Sequence, residues 1–189
     1  MKITRKRILI VLFVIVLTAV TERLMGRLWF GPDGKFGLYS WNIWSSEQSQ
    51  RVLDPYAFSH FIHGMFFFAL LWPLRHRLSP FARFVAALAL EAAWEILENS
   101  PIIIDRYRAV TVSFGYTGDS ILNSVSDIMM AGLGFWFASK NKLWVCLAVG
   151  MAFELFTLWW VRDNLTLNVI MLTFPQEAIR QWQGAIAPH

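Results

Sequence analysis

The chain reads as an all-α protein, a polytopic transmembrane helix bundle of about five spans with its N-terminus cytoplasmic and its C-terminus outside. Three observations predict this. Of 189 residues, 56% are hydrophobic and 16% charged, and the mean hydropathy is +0.45, above that of an ordinary soluble domain. Five apolar windows, 8–25, 57–74, 84–104, 118–138 and 143–161, each approach the ~20 residues that a helix needs to cross hydrocarbon. Lys2, Arg5, Lys6, Arg7, Arg75, Arg77, Arg83, Lys140 and Lys142, nine of the 17 Lys and Arg, fall in three short segments, which the positive-inside rule assigns to the cytoplasm.

The first window follows basic residues as a signal peptide would. Glu22 and Arg23 come next in place of a small-residue cleavage site, so a retained helix is expected. Residues 26–56 form the outer loop. Its Trp29, Phe30, Phe36, Tyr39, Trp41 and Trp44 among Gly, Ser and Asn suit a segment that lies on the outer headgroup layer or caps a cavity. Trp72, Trp136, Trp144, Trp159 and Trp160 mark predicted span ends, where amphipathic rings settle. After the fifth window, 162–189 reads as an interfacial segment. Residues 165–174 are apolar but half the length of a crossing, Pro175 ends them, and Ala178, Ile179 and Trp182 share one face of a short helix beyond. The single Cys146 excludes an intrachain disulfide and reads as a buried structural thiol. The net charge of +4 reflects topology, and no basic patch with interleaved aromatics points to nucleic acid. Asn164-Leu165-Thr166 fits the glycosylation triplet, a pattern common by chance.

The informative residues are the polar ones inside apolar windows. His60 and His63 lie in the second, Glu91, Glu95 and Glu98 in the third, and Asp119, Asn123 and Asp127 in the fourth. Intramembrane charge costs a few kcal/mol even on the lenient insertion scale and is kept by facing a partner, a cavity or a ligand. At 1.5 Å per residue these groups all converge on the outer half of the bilayer, as does Glu154, and the inner halves 66–74, 129–138 and 143–152 carry no charge. At 100° per residue each row shares one helix face. One inward-facing chamber follows.

Bland readings stand beside this one. Asp119 after Tyr116-Thr117-Gly118 also fits a helix N-cap. Glu98-Asn99-Ser100-Pro101 also fits a helix end or a proline kink. Arg106 and Arg108 also fit pairing with Asp105 or plain interfacial anchoring.

Four strings carry a resemblance: Ser59-His60-x-x-His63-Gly64; Trp94-Glu95-Ile96-x-Glu98-Asn99-Ser100-Pro101; Tyr116-x-Gly118-Asp119-Ser120-x-x-Asn123-Ser124-x-x-Asp127; and Arg162-Asp163-Asn164-Leu165-Thr166-Leu167-Asn168. Together they resemble a family of multi-pass inner-membrane proteins of alphaproteobacteria that is classed as a domain of unknown function. The resemblance implies a bacterial inner (cytoplasmic) membrane and no activity. A fainter similarity is to VanZ-like membrane proteins, which set a His-bearing, a Glu-bearing and an Asp-x-x-x-Asn helix in that order. Here Glu98 stands where that motif has Gln, and Ser124 where it has Gly.

Two imidazoles with several carboxylates and no thiolate make an N/O donor set suited to one divalent Zn, Mn or Fe ion. The expected ligands are His60, His63, Glu95 and Asp127, with Glu91 or Glu98 as general base and Arg106 and Arg108 as headgroup clamps beside Asn99 and Asn123. That set predicts a hydrolase or transferase for an outer-leaflet lipid. A metal-free variant would pair Asp119 with Asp127 across one proton. The alternative is a non-enzymatic accessory protein that binds a lipid or amphiphile. The lipid bilayer is the expected partner, and an ion path is disfavoured by the apolar inner halves.

Overall fold

A computed structural model describes residues 4–42, 44–113 and 115–185; Lys2 and residues 186–189 of the C-terminal segment lie outside it. The described residues form eight α-helices and no strand. They are α1 Arg5–Leu24, α2 Ala57–Leu70, α3 Pro80–Glu98, α4 Pro101–Val110, α5 Ile121–Lys140, α6 Leu143–Val161, α7 Leu165–Thr173 and α8 Glu177–Gly184, with a 3-10 turn at Trp72–His76.

Local chemistry sets the ends. Thr4, Ser79, Ser120 and Asn164 each accept from a backbone N–H in the first turn of the helix that follows, satisfying a donor with no intrahelical partner. Pro73 turns the end of the second apolar window into the 3-10 piece. The third window does not run through to 104. Asn99 ends α3, and Pro101, which lacks an N–H, opens α4 as its first residue. The fourth starts at Ile121 rather than 118, because Ser120 is the capping residue and Asp119 is not. The fifth coincides with α6.

Helices α2, α3 and α5 form the centre, α1 packs against α3 and α5, and α6 against α2. Glycine makes the central crossing close. A Cβ on Gly64 of α2 would overlap the carbonyl of Ala131 in α5, and a Cβ on Gly134 of α5 would overlap the carbonyl of Phe61 in α2. The two backbones therefore touch, as in small-residue helix interfaces. Toward the α3 side, Leu88, Ala92 and Ile128 pack with Val11, Val14 and Ile15 of α1. Leu71, Ala87 and Phe135 pack with Phe67, Phe68 and Phe84.

The loop between α1 and α2 is wired to the bundle. Its Leu28, Trp29 and Ser49 carbonyls accept from the N–H groups of Ile121, Leu122 and Ser120, completing the N-terminus of α5. Arg51 ties the loop to itself through Asp33, Glu47 and the Lys35 carbonyl.

Polarity is inverted relative to a soluble core. Glu22, Glu91 and Glu95 are 0% exposed, whereas Trp159 is 79% and Leu143 71% exposed. Among the described residues two helices, α5 and α6, are long and apolar enough to cross a membrane. Helix α2 is apolar but has 14 residues, and α1 and α3 carry charged side chains within similar lengths. Of the tryptophans at predicted span ends, Trp72, Trp136, Trp144 and Trp159 are exposed, and Trp160 packs on Trp41 with ring centroids 5.2 Å apart.

Candidate functional site

The close crossing of α2 and α5, with α3 laid against both, brings the three polar rows together. Nδ1 of His60 is 2.5 Å from Oε1 of Glu91 and 3.4 Å from Oε1 of Glu95, and its Nε2 is 3.7 Å from Oδ2 of Asp127. His63, one turn along α2, points its Nδ1 at both oxygens of Glu91, at 3.1 Å each. Potential ligand atoms of His60, His63 and Glu91 lie within 4.8 Å of one another, and so do those of His60, Glu95 and Glu98. Among the described residues, both oxygens of Glu95 and Oδ1 of Asp127 have no hydrogen-bond partner although both residues are buried.

A second polar layer centres on Asp119. Its carboxylate accepts from Asn99 Nδ2 at 3.3 Å and Tyr116 Oη at 2.9 Å, and its N–H donates to Asn99 Oδ1 at 2.6 Å. Asn99 also donates to Ser124 Oγ at 3.2 Å and to the Glu95 carbonyl. Asn123 donates to the Arg51 carbonyl at 2.9 Å and so anchors the loop. Gly118 makes the layer possible. Its φ of +92° is left-handed, and a Cβ there would lie 2.9 Å from Asn99 Oδ1.

Both layers meet a cavity of about 590 Å³. His60, His63, Asp127, Glu98 and Asp119 line it, and Trp44, Ser45 and Gln48 to Gln50 bring the loop over it. Phe66 and Val169 also line it and are 58% and 53% exposed, so an apolar side of the cavity reaches the protein surface. That size suits a small ligand or the head and first carbons of an amphiphile.

Not every expected site residue is there. Arg106 donates from Nε to the Leu172 carbonyl at 3.0 Å and Arg108 to the Tyr116 carbonyl at 2.5 Å, and neither lines the cavity. Arg108 also lies 3.8 Å from Asp105. Asp119 and Asp127 have different partners, the first Asn99 and Tyr116, the second His60. Glu154 takes the Leu165 and Thr166 N–H groups at 3.0 and 3.1 Å and so caps α7. Asn164 of the glycosylation triplet is 6% exposed and caps the same helix. Cys146 is half-buried and unpaired among the described residues.

Other residues join the site without having been singled out. Glu22, a turn after Thr18 on the buried side of α1, sits beside Ser124, Asp119 and Arg27. A row of Thr and Glu four apart in the first window was its signal. Asp54 lines the cavity and accepts from the Tyr56 and Ala57 N–H groups at the start of α2, and burial pushes its carboxyl above the usual range. Asp163 accepts from Tyr56 Oη at 2.8 Å, Asn168 at 2.9 Å and Gln183 at 3.0 Å. Burial holds its carboxyl up at about 6.

The sequence matches a family profile described as "Protein of unknown function (DUF2585)" over residues 23–185. A UPF0314 protein of Sphingopyxis alaskensis is 48% identical over 183 residues, covering 96% of this chain and 97% of the relative. Another from Novosphingobium aromaticivorans is 50% identical over 165 residues, 85% and 83% of the two chains. One from Paracoccus denitrificans is 48% identical over 173 residues, 92% and 90%. No solved structure matches. The chain thus belongs to the DUF2585, or UPF0314, family of proteins found across alphaproteobacteria.

Proposed function

We propose that the chain is a multi-pass protein of the bacterial inner membrane that holds one divalent ion and hydrolyses or transfers a group of a membrane amphiphile. Buried carboxylates inside and exposed Leu, Phe and Trp outside support the membrane setting, since lipid accepts apolar surface and rejects charge. On this reading α1, α2 with its 3-10 extension, α3 with α4, α5 and α6 supply the five crossings. The VanZ-like resemblance plays no part in it.

The observation that carries the reading is the packing of His60, His63 and Glu91 within 4.8 Å at the edge of a cavity. Beside it the buried Glu95 carboxylate has no hydrogen-bond donor among the described residues, and a buried anion in that state is neutralised by a cation or a proton. The N/O donor set fits Zn, Mn or Fe, with Glu91 drawn into the ligand set by its contacts to both imidazoles. A bound ion supplies Lewis-acid polarisation of an acyl or phosphoryl oxygen and a more acidic water. Glu98, which lines the cavity within reach of His60, is placed to take and return the proton. Asn99 and Asn123 hold the walls around it.

Purified protein in nanodiscs, loaded with Zn, Mn or Fe, is incubated with bacterial lipid extract and products are followed by mass spectrometry. Turnover that falls by about 10²- to 10⁴-fold in Glu98→Gln, with metal content unchanged, fits general acid–base work. No lipid consumed with any of the three ions would contradict enzymatic action. A binding role without turnover has its own support: Asn99, Asp119 and Asn123 are all engaged in structural hydrogen bonds.

A further inference from the structure

The walls of the cavity are acidic and aromatic, and among the described residues no Lys or Arg lines them. Asp54, Glu98, Asp119, Asp127 and Asp163 all border it. Arg106 and Arg108, the guanidiniums expected near an incoming anion, have their Nε atoms on backbone carbonyls elsewhere. Asp127 is 2% exposed, and its Oδ1 is an acceptor with no donor among the described residues. The two acids closest to the imidazoles, Glu91 and Glu95, do not line the cavity, and an ion held there would be met by Glu98 and Asp127 as well, which leaves Asp54, Asp119 and Asp163 on the walls with no Lys or Arg among the lining residues.

The geometry points to a ligand that presents an ammonium group to these walls on an apolar stem. The inference rests on the same cavity as the proposed function and names the chemistry of its substrate. An ammonium offers three donors to the carboxyl oxygens on these walls, and the aromatic side chains of Trp44, Trp94, Tyr107 and Tyr116 line the same space. A phosphate would meet several carboxylates in a low-dielectric space with no guanidinium to receive it. The stem follows from the other lining: Phe66, Phe67, Val169 and Leu172 form an apolar side that opens at the surface through Phe66 and Val169.

Hexylammonium, hexyl phosphate, hexyl glucoside and ethylammonium are titrated by calorimetry into the metal-loaded protein in a neutral detergent. Hexylammonium is expected to bind at least tenfold tighter than each of the others, and its advantage over hexyl glucoside to shrink in Asp54→Asn, where the amide keeps the cap on α2. Hexyl phosphate or hexyl glucoside matching hexylammonium overturns the charge assignment. Ethylammonium matching it overturns the apolar stem and makes the ligand a free amine. Metal content read on the same sample separates the two readings. Metal without ammonium preference sinks this inference alone, and ammonium preference without metal sinks the metal reading alone.

Discussion

Oε1 of Glu91 lies 2.5 Å from Nδ1 of His60, and this contact joins α3 to α2 beneath the cavity. The same carboxylate reaches His63 at 3.1 Å, so one fully buried acid fixes the orientation of both imidazoles.

Removing that acid leaves two inward-facing rings without their shared partner. Glu91→Ala is expected to cost about 3 kcal/mol, in the range measured when one member of a buried pair is deleted. Glu91→Gln, which keeps the volume, is expected to lose less. Thermal unfolding in one detergent compares both with the parent; a Glu91→Ala protein as stable as the parent would show that the carboxylate does not organise the site.

The α2–α5 crossing makes a sharper steric forecast. Gly64→Ala and Gly134→Ala each drive a Cβ into a backbone carbonyl, which cannot rotate away. Each is expected to cost at least 1–3 kcal/mol and to weaken metal binding, because the crossing sets His60 against Asp127. Gly150→Ala is the control, since its Cβ would meet only Met65 Cε at 3.6 Å. A stability scan in which all three behave alike would refute the close crossing.

Asp163 gives a dependence on pH. Its carboxyl titrates near 6 in the fold, against an ordinary value of 3.8, so the folded state holds a proton that the unfolded chain has released. Its contribution to stability is present in full below about 4 and is lost as pH rises through 6. The melting temperature should therefore fall between pH 4.5 and 7, and Asp163→Asn should flatten part of that fall. An unchanged slope in the variant would assign the dependence to other groups.

Glu154 caps α7 from the neighbouring helix. Glu154→Gln keeps an acceptor but removes the charge from the helix N-terminus, a loss of about 1 kcal/mol. Backbone amide exchange at Leu165 and Thr166 is expected to speed up severalfold, and unchanged exchange there would mean that the carboxylate is not the cap.

Much of this was legible in one dimension. Apolar windows become helices because length and hydropathy are local properties, and α6 matches its window end to end. The His, Glu and Asp rows met because helical period fixes which side chains share a face. Long-range partners were not legible. Arg106 and Arg108 looked like clamps, but carbonyls of Leu172 and Tyr116 claim them. Glu154 looked like part of the acidic row until the start of α7 folded back onto it. Glu22 was hidden by its neighbour Arg23, which made both read as the polar flank of a window. Only the approach of Ser124 and Asp119 reveals it as interior. The third window split at Pro101, where hydropathy continues but the missing N–H stops the helix.

Metal content by inductively coupled plasma mass spectrometry, on protein purified without chelators beside His60→Ala/His63→Ala, tests the proposed centre most directly. Near one Zn, Mn or Fe per chain in the parent and a loss of at least tenfold in the variant is the expected result. Less than about a tenth of an ion per chain in the parent after incubation with each metal, or the same content in both proteins, would contradict a metal centre at His60, His63 and Glu91.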